Sequence, residues 1–295
     1  MYFPQQSDSK TLEQQPTQTG TPTLPAGARG WDQLSPGVGC AGFDDRLMWT
    51  NDDGINWTDI TPPRSSNESM VKSFLLDATH AWAVIGDDSA PDELHSVRVV
   101  RTGDGGRTWS QGHFDRSSFP GLKQTIAVPK ALWFVDSKHG WLEWKVQSSS
   151  AFDLGLLYRT ADGGKTWAEL PGPPDGGDLR FYSSRVGWLM GGGSNQELHV
   201  TRDGGETWRD VSVAVPGDCD RCSPGFSLPK FQDARNGVLR VVFHDYSNLE
   251  GRHVTSTFVT HDGGHSWIAV SNLEQIRPTE TEGGPSLEWH HCQIP

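Results

Sequence analysis

Long apolar runs are missing from this sequence. No stretch of its 295 residues approaches the roughly 18 that a membrane-spanning helix requires, so a helical span is excluded. Basic residues are in deficit: 25 Lys and Arg stand against 37 Asp and Glu, a formal net charge of −12. That balance argues against nucleic acid as a partner, and equally against an anionic membrane surface, because both would repel the chain. No signal peptide opens the sequence, since Met1-Tyr2-Phe3-Pro4 leads directly into polar residues. The run 5–25 is rich in Gln, Thr, Ser and Pro and too poor in apolar residues to build a core. We expect residues 1–23 to be a disordered polar tail and 24–295 to be one folded domain. Such a tail commonly follows a cleaved export or lipoprotein signal, which points to a secreted or cell-envelope protein.

What the sequence does contain is glycine, tryptophan and an internal repeat. Its 34 Gly, 19 Pro and 13 Trp suit many short strands and turns better than helices. Thr160-Ala161-Asp162-Gly163-Gly164-Lys165-Thr166-Trp167 recurs as octets beginning at Thr102, Thr201 and Thr260, and in a worn form at Thr50. Self-similarity at a period near fifty residues is the signature of a repeat architecture. Within each octet the acidic residues Asp52, Asp104, Asp162, Asp203 and Asp262 can accept from backbone N–H groups just downstream. The glycines supply the positive φ that a reversing chain needs. Trp57, Trp109, Trp167, Trp208 and Trp267 end the octets as large apolar anchors. Each octet therefore reads as a tight turn between two strands.

A second pattern precedes the octets. Leu75-Leu76-Asp77, Phe134-Val135-Asp136, Phe181-Tyr182-Ser183 and Phe231-Gln232-Asp233 each lead, through a short turn, to Ala81-Trp82, Gly140-Trp141, Gly187-Trp188 or Gly237-Val238. The octets resemble Asp boxes, the bacterial neuraminidase repeats of β-propellers, over roughly residues 24–270. Their pairing with F-x-D…G-W is more similar to propellers related to the photosystem II stability and assembly factor than to true sialidases. The resemblance implies an all-β propeller of four-stranded antiparallel blades. We expect five blades, with six as the alternative, and strands at about 130–135, 140–145, 156–160 and 166–170 in the third blade. In the first blade either Trp31 or Gly39-Cys40 could hold the Gly-Trp position, and the run 286–294 is expected to close the ring.

Cys40 and Cys292 would then meet as a ring-locking disulfide, worth on the order of 5 kcal/mol, or remain two free thiols. Cys219 and Cys222 form a CxxC that reads as a local disulfide, as free thiols or as half of a metal site. The sequence calls for no metal and no cofactor.

Function is less constrained, because Asp boxes lie away from active sites and report the fold. If the octet and F-x-D turns share one face, the opposite face carries the longer, irregular loops. Lys72, Lys130, Arg180 and Lys230 are each expected to open an inner strand there, where four cations would ring the channel mouth and favour an anionic ligand; solvated strand-edge charge is the plainer reading. The sialidase arginine motif F/Y-R-I-P does not occur, and of only four tyrosines one, Tyr246, lies in a candidate site loop with Glu250 and Arg252. We therefore expect a non-catalytic, monomeric extracytoplasmic propeller that binds a protein or glycan on its loop-rich face. The alternative is an exo-acting glycoside hydrolase of sialidase or xyloglucanase type, which needs two carboxylates flanking the sugar.

Overall fold

The computed structural model describes residues 21, 23–28, 30–43, 45–87, 97–114, 119, 122, 127–146, 154–192, 195–217, 221–245 and 252–270. They build five antiparallel sheets in chain order. The first holds β1 (Gly30–Ser35), β2 (Val38–Gly42), β3 (Leu47–Thr50) and β4 (Thr58–Asp59). The second holds β5 (Glu68–Leu75), β6 (Ala81–Asp87), β7 (Val97–Thr102) and β8 (Ser110–Gln111). The third holds β9 (Ala127–Phe134), β10 (Gly140–Val146), β11 (Leu154–Thr160) and β12 (Ala168–Glu169). The fourth holds β13 (Asp178–Phe181), β14 (Gly187–Gly191), β15 (Glu197–Thr201) and β16 (Arg209–Asp210). In the fifth, β17 (Cys222–Phe226) and β18 (Lys230–Phe231) both pair with β19 (Gly237–Asp245), followed by β20 (Arg252–Thr260) and β21 (Ile268–Ala269). This is the β-propeller expected from the repeats, with five blades among the described residues.

The octets form the turns between third and fourth strands by one hydrogen-bond scheme. In the second blade, Thr102 Oγ1 donates to Asp104 Oδ1 at 2.8 Å and accepts from Gly106 N at 3.0 Å. Asp104 in turn accepts from Thr108 N at 2.9 Å and from Thr108 Oγ1 at 2.6 Å. The third, fourth and fifth blades repeat the scheme on Asp162, Asp203 and Asp262. In the worn first copy, Asn56 substitutes its amide for the hydroxyl, donating from Nδ2 to Asp52 Oδ2 at 2.7 Å. There Asp53 takes the first glycine's place at φ 57°, a conformation that Asp tolerates better than most residues.

The seams between blades hold the core. The Gly-Trp tryptophans of the second and third blades cross to the next blade, where each stacks on a Phe and bonds the octet backbone. Trp82 lies 3.6 Å from Phe134, ring centre to ring centre, and its Nε1 donates to Gly163 O at 2.8 Å. Trp141 repeats both contacts on Phe181, at 3.6 Å, and on Gly204 O, at 2.9 Å. A buried cluster including Phe74, Trp82, Phe134, Trp141 and Phe181 consequently runs through blades two to four without interruption. The fourth strands β4, β8, β12, β16 and β21 are two residues each and exposed, which leaves little free edge for another chain to pair with.

Two expectations about the first blade are resolved by register. Gly39 pairs with Thr50 as Gly140 pairs with Thr160, so Gly39-Cys40, and not Trp31, holds the Gly-Trp position. All four strands of this blade come from residues 30–59, with β1 beside β2 at the inner position. The expected closing run, 286–294, lies outside the described residues. So does nearly all of the expected tail, although Thr23 is tied to the first octet through Gly54 O and Trp57 Nε1.

Candidate functional site

Antiparallel order places the F-x-D turns and the octet turns at the same end of every blade, as expected. The opposite end carries the loops between second and third strands and the blade-to-blade connections. The octet aspartates belong wholly to the turn end. Hydrogen bonds from Thr108 and Thr102 hold the Asp104 carboxyl at about 2, and for Asp203 the bonds from Thr207 and Thr201 outweigh the opposing effect of burial, again to about 2. They are ionised acceptors with full shells, unsuited to proton transfer.

The four cations do not form a single ring. β5 and β9 begin earlier than expected, so Lys72 and Lys130 sit mid-strand, beside bulges that face the fourth residue of the paired strand. Arg180 and Lys230 stand directly before Phe181 and Phe231, one step from the turn end. The apparent alignment failed because β5 and β9 have eight residues whereas β13 has four and β18 two. Each cation has its own surroundings. The Arg180 guanidinium lies 5.4 Å from the centre of the Trp133 ring, and burial lowers the Lys72 pKa from its ordinary value. Lys130 Nζ donates to the carbonyls of Gly176 and Gly177 and lies 3.7 Å from the Asp178 carboxylate, pinning the connection between the third and fourth blades.

Beside Lys130 is a residue that the sequence reading passed over. Glu143 on β10 is only 1% exposed, and neither carboxylate oxygen has a hydrogen-bond partner. Burial raises its pKa to about 8, with Lys130 opposing and Asp178 and Asp175 reinforcing the shift. The fourth residue of the equivalent strand is Val84 in the second blade and Met190 in the fourth. Aligning the Gly-Trp strands would have exposed this substitution.

Two polar clefts open at the loop end. One, of about 550 Å³, is lined by Asp45, Arg64, Ser65, Ser66, Glu68 and Ser69. Its walls are fixed: Arg64 Nη2 donates to Asp45 O at 2.6 Å, and Arg98 grips Glu68 through two bonds near 3.0 Å. The Arg98 bond is the largest cause that holds the Glu68 carboxyl at about 2. The other, of about 270 Å³, surrounds His199, which is 4% exposed. Its Nδ1 lies 2.9 Å from Asp210 Oδ1 and its Nε2 3.4 Å from Glu197 Oε2. Among the described residues neither cleft is lined by Phe, Tyr or Trp, the flat rings on which a sugar face stacks.

Of the candidate catalytic residues, Tyr246 and Glu250 lie outside the described residues. Arg252 opens β20, paired in register with Asp245. Cys40 and Cys222 are disulfide-bonded, and no described cysteine is free. Cys219 and Cys292 lie outside the described residues. Among the described residues no cluster of three or more His, Cys, Asp or Glu is arranged to hold a metal ion.

No protein-family model and no curated protein matches the chain. Among solved structures it is similar to YCF48 bound to a D1 peptide, at 17% identity and a TM-score of 0.46, over 86% of this chain and 85% of that one. YCF48 from Cyanidioschyzon merolae is similar at 14% and 0.42, over 84% and 87% of the two chains. The GH74 xyloglucanase of Xanthomonas campestris is similar at 14% and 0.43, over 83% of this chain and 38% of that enzyme. These are likenesses of fold, to propellers both of assembly factors and of glycoside hydrolases.

Proposed function

We propose that this chain is a non-catalytic, monomeric propeller that works outside the cytoplasm and holds a protein partner on its loop end. The observation that carries the proposal is the position of Glu143. It is the one described carboxyl group whose pKa is raised toward neutrality, as a glycosidase's general acid requires, and it is 1% exposed. A proton donor must come within about 3 Å of the bond it cleaves, and no sugar reaches a group sealed into a blade seam.

The charged side chains described at the loop end support the same reading. Lys130 and Arg64 pin backbone carbonyls and Arg98 grips Glu68, giving a polar surface of fixed shape. The two-residue fourth strands make strand addition at the blade edges a poor mode of capture, which leaves a face as the contact. The disulfides at Cys40 and Cys222 favour an oxidising compartment.

Two measurements test the proposal. A panel of fluorogenic glycosides that includes a sialoside, together with xyloglucan oligosaccharides, should show no turnover. Hydrolysis that disappears in Glu250→Gln or Tyr246→Phe would establish the glycoside hydrolase instead. Affinity capture from the extracytoplasmic fraction should retain a protein that is lost with Ser66→Arg plus Gln196→Arg at the loop end and kept with Lys165→Glu at the turn end. Retention by both variants would remove the loop end as the binding face, and capture of glycan alone would reassign the partner.

A further inference from the structure

The seams between successive blades are built at the turn end from equivalent positions, so one seam serves as a control for another. Between the third and fourth blades, Arg159 stands just before the octet threonine and reaches forward. Its Nη1 donates to Asp203 O at 3.3 Å and its Nη2 to Glu206 Oε1 at 2.7 Å, which closes the seam with an ion pair. Arg101 holds the same place one blade earlier, just before Thr102. The third-blade octet, however, carries Lys165 where the fourth carries Glu206.

That change from acid to base leaves Arg101 without its carboxylate. Its Nε is buried with no hydrogen-bond partner, although buried donors are nearly always satisfied. Among the described residues, neither Arg101, Lys138 nor Lys165 forms a salt bridge. The seam opens instead into a cleft of about 450 Å³ whose lining includes these three cations with His80, Trp82 and Asp162. Asp162 contributes the opposing charge, but its oxygens already accept from Thr160 Oγ1, Thr166 N and Thr166 Oγ1. The His80 ring is held by Asp77 at 2.9 Å. Three cations against one occupied carboxylate leave a surplus of two positive charges in the lining, in a chain of net charge −12.

We propose that this cleft between the second and third blades binds a phosphate-type dianion through Arg101, Lys138 and Lys165. The site is separate from the partner face, at the other end of the blades. The guanidinium fork matches two oxygens of a tetrahedral oxyanion, and the lysines supply point charges that a single carboxylate would neutralise only in part. The volume also admits a small organic group attached to the phosphate.

The test is calorimetric titration of the full chain with inorganic phosphate and with phenyl phosphate at low ionic strength, followed in parallel by the indole N–H resonance of Trp82. Trp82 lines the cleft, so its resonance should move with the heat. We expect saturable binding at one site, weakened at least about tenfold by Lys165→Glu, which restores the Glu206-type partner for Arg101. The reciprocal Glu206→Lys should open the next seam and create a second site. Tighter binding of phenyl phosphate would identify an esterified ligand, and tighter binding of inorganic phosphate the free ion. Affinity unchanged in Lys165→Glu, or no saturable signal at about 10 mM phosphate, overturns the proposal. Succinate binding as tightly as phosphate would overturn the assignment to the phosphate class.

Discussion

Glu143 is held in a strand position that the second and fourth blades fill with Val84 and Met190 and the fifth with Arg240, and its fate with pH follows from its burial. In the folded chain it keeps its proton up to about 8, whereas an unfolded Glu loses it near 4.5. Between those values the native state binds the extra proton, so stability falls as pH rises. Below the lower value, stability is unaffected by this group. Glu143→Gln should flatten the slope, and its melting temperature should exceed that of the wild type by several degrees at pH 8.5 but not at pH 4.5. Equal slopes in thermal melts would mean that the carboxyl is not held as described. The octet aspartates behave in the opposite sense. Their depressed values give stability that is full above about 4 and lost as pH falls toward 2. Asp203→Asn keeps an acceptor for Thr207 N but offers an amide to the Thr207 hydroxyl, so it should cost about 1–3 kcal/mol in a denaturant titration.

At the scale of elements, the octet turn and the crossing tryptophan carry the structure. Gly163 has φ 77°, and a Cβ there would lie 2.6 Å from Ser137 O, so Gly163→Ala should destabilise by more than about 1 kcal/mol. Trp141→Phe keeps the stack on Phe181 but leaves Gly204 O without its donor, at a cost of about 1–3 kcal/mol. Both effects are read from chemical unfolding, and a change below a few tenths of a kcal/mol would deny those contacts their role. These elements were legible because turn chemistry is local: a Thr, an Asp and two glycines at fixed spacing specify the bend wherever they occur. Inner-strand length was not legible. Whether Lys130 opens β9 or sits within it depends on how far Ala127 and Val128 pair with Val146 and Lys145, which no local signal states. Glu143 and Arg101 escaped for another reason. Each is ordinary in its own blade and stands out only when compared with its counterpart in a neighbouring one.

For the whole molecule, cross-links add to what the seams provide. Reduction of the disulfides at Cys40 and Cys222 should lower the melting temperature, at a cost of about 2–5 kcal/mol per native bond in small secreted domains. A melt unchanged by reductant would show that the blades hold without them. The binding reading and the anion cleft concern opposite ends of this molecule, so either can fail alone.

The forward reach of Trp82 and Trp141 has one more consequence. Each of these blades carries a plug, its indole, and each following blade a socket, the octet carbonyl beneath it. A gene segment copied in frame from these blades would therefore bring one plug and one socket together at its new junction. At these two joints the blade, rather than the residue, is the unit that fits its neighbour.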